Sequence, residues 1–475
     1  MSDDTDVMIG LETHVQLDTD TKLFCGCPNE EAEEPNSNVC PICLGHPGSK
    51  PQLNHAVLKQ AVKTATALQC DINDEMFFSR KTYFYPDMSK NYQITQYEIP
   101  VGNDGEIEVK VGDSKKDIRI KRLHIEEDPA KLEHVGGSVS DSDYTKIDYN
   151  RAGTPLLEIV TKPDFRSPEE ARAYLQQLQR TLQYLEVYFP ESSFAIKSDA
   201  NVSINGGNRV EVKNITGTKD IEKALNYEIT RQKQMAKTDK EVEQATRSFN
   251  QSMGMTEALR QKETEEDYGY IFDPDLTRQE LSEEFQDKVY SEIPELPHEK
   301  FKRFQNEYGL KEKLVESLVT SQELADDFEE LVVGHNYDSN VVASWMTGEL
   351  KKVLNYNEVD YENSEIDIWI LEQLFKMLEE NRISDRNGEI LLRKAQENPG
   401  ISAPSLVAKF DLEKAEDDEV DQIVEEVIND NGDAVDDYES GDEGAINFLV
   451  GQVMQQSQGK ADPKTAREKI LEILE

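Results

Sequence analysis

The residues of this chain best suited to chemistry are four cysteines and a set of carboxylates carried on alternating segments. Cys25 and Cys27 form one close pair and Cys40 and Cys43 a second, with twelve residues between the pairs. Two thiol pairs across one loop suit a tetrahedral Zn²⁺ ion. Four sulfur ligands would leave no open position, which makes such a centre structural rather than catalytic. Four reduced thiols in a surface loop are the plainer alternative. Cys70, at the end of an apolar helical segment, reads as a buried thiol.

The carboxylates follow a period of two. In VMIGLETHVQL, Val7, Ile9, Leu11, Val15 and Leu17 fall on one face of a strand, and Glu12, His14 and Gln16 on the other. In FAIKSDANVSI, Phe194, Ile196, Ala200, Val202 and Ile204 oppose Lys197, Asp199, Asn201 and Ser203. After Asn205, Gly206 and Gly207 the chain returns with Val210 and Val212 apolar and Arg209, Glu211 and Lys213 polar. A hairpin with a three-residue or bulged loop would set Asn201 opposite Glu211. LHIEED adds Glu126, Glu127 and Asp128 at the end of a stretch that begins near Ile118. Each polar face alone reads as the wet side of an antiparallel sheet. Together they form a carboxylate-rich surface of the kind that Mg²⁺ or Mn²⁺ and a nucleotide phosphate require. No GxxxxGK or kinase-like GxGxxG run is present, so phosphate binding here would rest on metal ions and basic side chains.

The elements that must hold these residues fall into two styles. Through about residue 290, short alternating segments, glycine-rich turns and a few helices predict an α+β domain with antiparallel sheets. Its best-marked helix is capped by Ser167, carries Pro168 at its first position and Glu170 in a capping box, and buries a stripe of Ala171, Tyr174, Leu175, Leu178, Leu182 and Leu185. From about Pro294 the pattern is helical, including Glu365 to Asn381 and Arg386 to Glu397. Between Asp411 and Glu443 the only basic residue is Lys414, a solvated helical surface or a connection. Two last helices run from Ala445 to Gln458, stopped by Gly459, and from Pro463 after a capping Asp462.

With 475 residues there is length for about three domains. The hydrophobic share of 37% is enough for an ordered interior. The net charge of −44 is spread along the chain and argues against nucleic-acid binding in dilute salt. It also suits a halophile-like, high-salt cytoplasm, where screening falls to about 3 Å at 1 M. The start lacks a signal-peptide pattern and no apolar run approaches the roughly 20 residues that cross a bilayer, so the expectation is a soluble intracellular protein without a membrane partner. The tail from Ala445 is near neutral, because Lys460, Lys464, Arg467 and Lys469 balance its acids. Such local relief marks a possible RNA contact, and an ordinary solvated helix pair is the alternative.

Seven segments, in order, resemble the B subunits of the GatCAB-type amidotransferases: IGLETHVQL, KTYFYPDMSKNYQITQ, LHIEEDPAK, DYNRAGTPLLEIVTKPD, SDANVSI, EVKNI and LVGQVMQQSQGKADP. The resemblance implies a glutamine-synthetase-like catalytic cradle over 1–292, a helical domain over 293–405 and a small YqeY-like helical tail over 406–475 that holds the tRNA. It implies ATP-dependent amidation of mischarged Glu-tRNA(Gln) or Asp-tRNA(Asn), with ammonia from a GatA-like amidase and with a GatC-like subunit. Carried over residue by residue, Glu12, His14, Glu126 and Glu127 match metal-site motifs, with Asp199 and Glu211 as further ligands or their neighbours. Lys90, Arg151 and Lys213 match candidates for phosphate contact, and Tyr83, Tyr85 and Asn150 match the pocket lining. The chain departs from the pattern in DYGYIFDPD, where Gly269 stands at a position that is commonly Arg, and in KSDAN. A related family, GatE, shares the cradle but carries a large insertion for which this length leaves no room. The competing readings are a non-catalytic RNA-binding or assembly factor and a stand-alone ligase for small carboxylic acids. The full set of carboxylates speaks against the first and the tail against the second.

Overall fold

The computed structural model describes residues 5–135, 143–189, 196–238, 240–261, 269–415, 417–442, 444–457 and 460–474. Phe194 and Gly459, assigned above to a strand face and a helix stop, lie outside these residues. The chain divides into two compact units, Met1–Leu296 and Pro297–Glu475.

Unit 1 is mixed α and β. Its first strands are Val7–Gln16 (β1), Asp71–Ile72 (β2), Glu75–Met76 (β3), Ser79–Thr82 (β4), Tyr92–Thr95 (β5), Gly102–Val111 (β6), Ser114–Glu127 (β7) and Lys131–Val135 (β8). They are followed by Tyr144–Asp148 (β9), Pro155–Thr161 (β10), Lys197–Ile204 (β11), Val210–Thr216 (β12), Ala245–Asn250 (β13), Met255–Gln261 (β14), Gly269–Phe272 (β15) and Gln279–Glu280 (β16). Nine of them form one sheet in the order β14-β13-β12-β11-β1-β10-β7-β6-β2. Its pairs are antiparallel except β12 with β13. That parallel pair departs from the antiparallel expectation, and its cause is the helix Thr218–Lys237, which carries the chain back to the starting end of β12.

One face of the sheet is apolar and packs on three helices: His55–Ala67 (α1), Pro168–Tyr184 (α2) and Thr218–Lys237 (α3). In β1 the odd positions Val7, Ile9, Leu11 and Val15 are buried in this core, as the alternation requires. The α2 stripe is buried throughout, from Ala171 to Leu185. Ser167 Oγ accepts the Glu170 N–H at 3.2 Å, and Pro168 takes the first position. Glu170 does not close the expected box on Ser167. Its Oε2 accepts the Arg166 N–H and Lys116 Nζ instead, one residue earlier and across to β7.

A β-bulge in β7 controls what the other face displays. Ile118 and Ile120 are buried, and so are Leu123 and Ile125, which have the opposite parity. The register passes from Arg122 to Ile120 against consecutive residues Val160 and Thr161, leaving Lys121 as the extra residue. Asp104, opposite on β6, has φ +50°. The extra residue keeps both apolar pairs on the helix side and turns Arg122, His124 and Glu126 to the opposite face.

Unit 2 is helical among its described residues and holds two separate apolar clusters. One gathers residues from Phe304 to Leu412, the other from Ala415 to Ile470. The expected helices are present as Ile368–Glu379, Asp385–Glu397, Ala445–Gln456 and Pro463–Leu474. Asp462 caps the last through the Thr465 N–H at 2.8 Å.

Candidate functional site

The polar face of the large sheet forms the floor of a cavity of about 800 Å³. The strand registers set its chemistry. His14 stands opposite Glu158 on β10, Glu158 opposite His124 on β7, Glu12 opposite Asp199 on β11, and Asn201 opposite Glu211 on β12. The hairpin turns through Asn205 and Gly206, both with positive φ, closed by Gly207 N–H donating to the Ile204 carbonyl.

At one end lies an acid–imidazole cluster. His14 Nε2 is 3.7 Å from Glu126 Oε1 and 3.6 Å from Glu158 Oε2, and His124 Nε2 is 3.2 Å from the same Glu158 oxygen. Donor atoms of His14, Glu126 and Glu158 lie within 4.8 Å of one another, so one ion could bridge them. Burial works against the charge on His14, but the Glu158 and Glu126 carboxylates outweigh it and raise its pKa to about 10. Burial, and then the neighbouring Glu158, pushes Glu126 up. Glu158 itself resists burial and is held well below the usual carboxylate range by His124 and His14.

Beside this cluster Glu12 accepts Asn201 Nδ2 at 2.9 Å, and its pKa is raised by burial and by Glu158, Glu211 and Asp199. Glu211 accepts the Thr246 hydroxyl at 3.1 Å. Lys213 Nζ donates to Asp199 at 2.9 Å and lies 3.7 Å from Glu211, and these acids raise its pKa despite burial. Lys81, Lys121, Arg122, Lys162 and Arg209 also line the cavity, so cations gather here in a chain of net charge −44. Arg122 donates to the Gln96 carbonyl at 2.5 Å, while its Nε and His124 Nδ1 are buried without a hydrogen-bond partner among the described residues. Tyr97 and Tyr270 stack in the cavity wall, 4.1 Å between ring centres.

Of the residues singled out in the sequence, Glu12, Glu126, Glu211 and Lys213 line the cavity, and His14 and Asp199 adjoin it through Glu126, Glu158 and Lys213. Glu127 does neither. Neighbours in a strand point to opposite faces, and its carboxylate is taken by Lys90 Nζ at 2.6 Å and the Ile94 N–H at 2.9 Å. Lys90 is thereby drawn away from the cavity. Tyr83 donates to Met88 Sδ at 3.2 Å, and Tyr85 is exposed on the same loop. Arg151 donates to the carbonyls of Pro129 and Ala130, each at 3.1 Å, and faces Asp128 at 3.3 Å. Asn150 Nδ2 donates to the Glu34 carbonyl, and its Oδ1 accepts the Asn38 N–H. None of these five lines the cavity. Glu158, His124 and Arg122 were missed. A lone carboxylate inside the apolar run PLLEIV was the available signal for Glu158, whereas the bulge hid the other two.

The four cysteines converge in the loops between β1 and α1. Their sulfurs lie within 4.8 Å of one another, and Cys40 Sγ and Cys43 Sγ are 3.8 Å apart. That separation fits the edge of a tetrahedron whose ligands stand about 2.3 Å from a central Zn²⁺. A hydrogen bond from the Cys25 thiol lowers the Cys43 pKa to about 5, and Lys22 adds to the effect, while burial raises Cys27 to about 11. The group could hold a metal ion.

The tail's cations are largely engaged. Lys460 Nζ pairs with Asp411 at 2.5 Å, Lys469 with Asp421, and Arg467 donates to Asn447 at 3.2 Å, whereas Lys464 is exposed. The charge relief expected at this end is therefore reduced, because the last helix packs on the acidic helix Asp417–Asp430. Among the described residues no helix is long and apolar enough to cross a membrane.

Residues 7–287 match the family described as the GatB/GatE catalytic domain, and residues 326–474 match the one described as the GatB domain. Similar proteins include the B subunit of the aspartyl/glutamyl-tRNA(Asn/Gln) amidotransferase from Natronomonas pharaonis, 43% identical over 97% of this chain and 96% of that protein. The protein of the same name from Haloquadratum walsbyi is 40% identical over 99% and 98%, and that from Methanoregula boonei 41% over 97% and 96%.

Proposed function

The chain belongs to the GatB family of amidotransferase B subunits, and from that premise we propose that its sheet cavity activates the side-chain carboxylate of glutamate or aspartate mischarged onto tRNA, for displacement by ammonia. The observation that carries this reading is the meeting, in one cavity, of a buried acid–imidazole cluster with six basic side chains. Phosphoryl transfer needs both signs of charge, one to hold metal ions and the other to receive phosphates.

In the first half-reaction a carboxylate oxygen of the aminoacyl side chain attacks the γ-phosphorus of ATP, and ADP leaves. In the second, ammonia adds to the acyl carbon and inorganic phosphate leaves with the proton that nitrogen sheds. Glu12, His14, Glu126, Glu158 and Glu211 would hold Mg²⁺ or Mn²⁺, which when bound neutralises charge on the transferred phosphoryl group. To serve as a ligand, His14 would give up its Nε2 proton. Asp199, bonded to Lys213, orients that amine. Arg122 and Arg209 receive phosphate, and Arg122 takes the part left vacant at Gly269, because its buried Nε has no protein partner among the described residues. Tyr97 and Tyr270 offer a flat aromatic wall to a base.

Around this chemistry we read residues 1–292 as a glutamine-synthetase-like cradle, 293–405 as a helical domain and 406–475 as a YqeY-like, tRNA-binding tail. Two separate cores in unit 2 favour a distinct tail, but they divide between Leu412 and Ala415 rather than at 405/406, because Leu406, Val407 and Leu412 pack into the first core. A GatA-like amidase supplies ammonia, a GatC-like subunit completes the heterotrimer, and the four cysteines hold a structural Zn²⁺. The test is amidation of Glu-tRNA and of Asp-tRNA in molar salt with both partners, ATP and glutamine. ATP-dependent product with the parent chain, lost in Glu158→Gln while tRNA binding persists, is expected. Undiminished amidation in that variant would remove the cavity from the mechanism.

A further inference from the structure

Lys22 lies at the base of the four-cysteine loop and is 1% exposed. Its Nζ donates to the Asn38 carbonyl at 2.9 Å, a neutral acceptor, and among the described residues no carboxylate lies within 4 Å of it. A buried ammonium held by one neutral carbonyl is costly, since transfer from water is offset only by a partner of opposite charge. The surrounding structure nevertheless commits Lys22 to this place. Its backbone N–H donates to the Cys27 carbonyl at 3.0 Å, and Asn38 is fixed by Asn150 Oδ1 at 2.8 Å. Lys22 therefore joins the segments that carry both cysteine pairs. Gly153, with φ +87°, leaves the space between amine stem and thiol open. A Cβ there would stand 3.6 Å from Cys43 Cβ and 3.7 Å from Lys22 Cδ.

We infer that Lys22 is the resident counter-charge of the cysteine centre. A divalent ion bound by four thiolates leaves a net negative group, and that group is the missing partner of the buried amine. The inference rests on the reading of the cysteines as a metal site and adds a positioning residue to it.

The test uses the full-length chain with Lys22→Gln, which keeps an N–H donor toward Asn38 but removes the charge, and Lys22→Met alongside it. Zinc affinity, measured by competition with a chromogenic chelator, is expected to fall about 10- to 100-fold in both. The zinc-free variants should melt at the same temperature as the zinc-free parent or higher, because an orphan charge has gone. In a Cys27→His background, where one thiolate becomes a neutral imidazole, the loss caused by Lys22→Gln should shrink. A packing role moves none of these in that pattern. Variants that lose equal stability with and without zinc, or that fail to fold in both states, overturn the proposal, as does unchanged zinc affinity. A parent chain that takes up no zinc overturns the metal reading itself.

Discussion

The cavity floor and the acidic helices of unit 2 are both rich in carboxylates, and they differ in what surrounds the charges. On the sheet, Glu126 and Glu158 are enclosed among His14, His124 and one another, so each proton position depends on its neighbours. In the helix Asp417–Asp430 the described acids lie mainly on the exposed side of an apolar stripe made by Val420, Val424 and Val427. The difference teaches that burial and register, rather than the number of charges, turn carboxylates into a site.

Substitution should separate the two regions most visibly. Glu126→Gln or Glu158→Gln should lower amidation by roughly 100- to 1,000-fold, as expected for loss of a group that stabilises transferred charge, while Glu425→Gln in the tail leaves it unchanged. Equal losses at both places, measured as kcat/KM with tRNA binding in parallel, would erase the distinction. A smaller effect, about 10- to 100-fold in kcat/KM for ATP, is expected for Arg122→Met, on the scale of a lost charge-assisted contact. If Arg209→Met alone has that effect, the phosphate lies at the other side of the cavity.

Titration separates the regions in another way. Without divalent ions, His14 has a pKa raised from 6.5 to about 10, so its contribution to stability is complete below about 6.5 and is lost as pH rises through about 10. The raised Glu12 and Glu126 act in the same sense, since they too favour the protonated folded state, and Glu158 acts against them. The melting temperature of the ion-free protein should therefore fall as pH rises between those values, and saturating Mg²⁺ or Mn²⁺ should flatten the profile. A profile that is flat before ions are added would contradict the cluster. The smallest expected change is Lys464→Gln, which should reduce tRNA affinity only a few-fold and its salt slope by about 1 if the tail touches phosphate. An unchanged slope would move the RNA contact away from this helix.

Period-two alternation made Glu12 and His14 legible as neighbours, and turn residues made the Asn201–Glu211 pairing legible. The same rule, applied strictly, should have separated Glu126 from Glu127, and the motif drew them together. His124 and Arg122 were hidden because a single extra residue at Lys121 reverses the parity of β7, a backbone irregularity that no side chain announces. The tail was misjudged electrostatically because Asp421, which neutralises Lys469, is 48 positions away in the chain and adjacent only after packing. Local periodicity carries information about faces, while charge balance belongs to tertiary neighbours.

The central place of β1 has a consequence for synthesis. This first strand lies between β10 and β11, so its two hydrogen-bonded edges are completed only when residues 155–161 and 197–204 have been made. At roughly 5 to 20 residues per second, an emerging chain carries an unpaired Val7–Gln16 for on the order of 10 to 40 s. Throughout that interval the segment holding Glu12 and His14 is an open β-edge on the ribosome. The nascent polypeptide thus leaves open to mispairing the strand on which its cavity is later built.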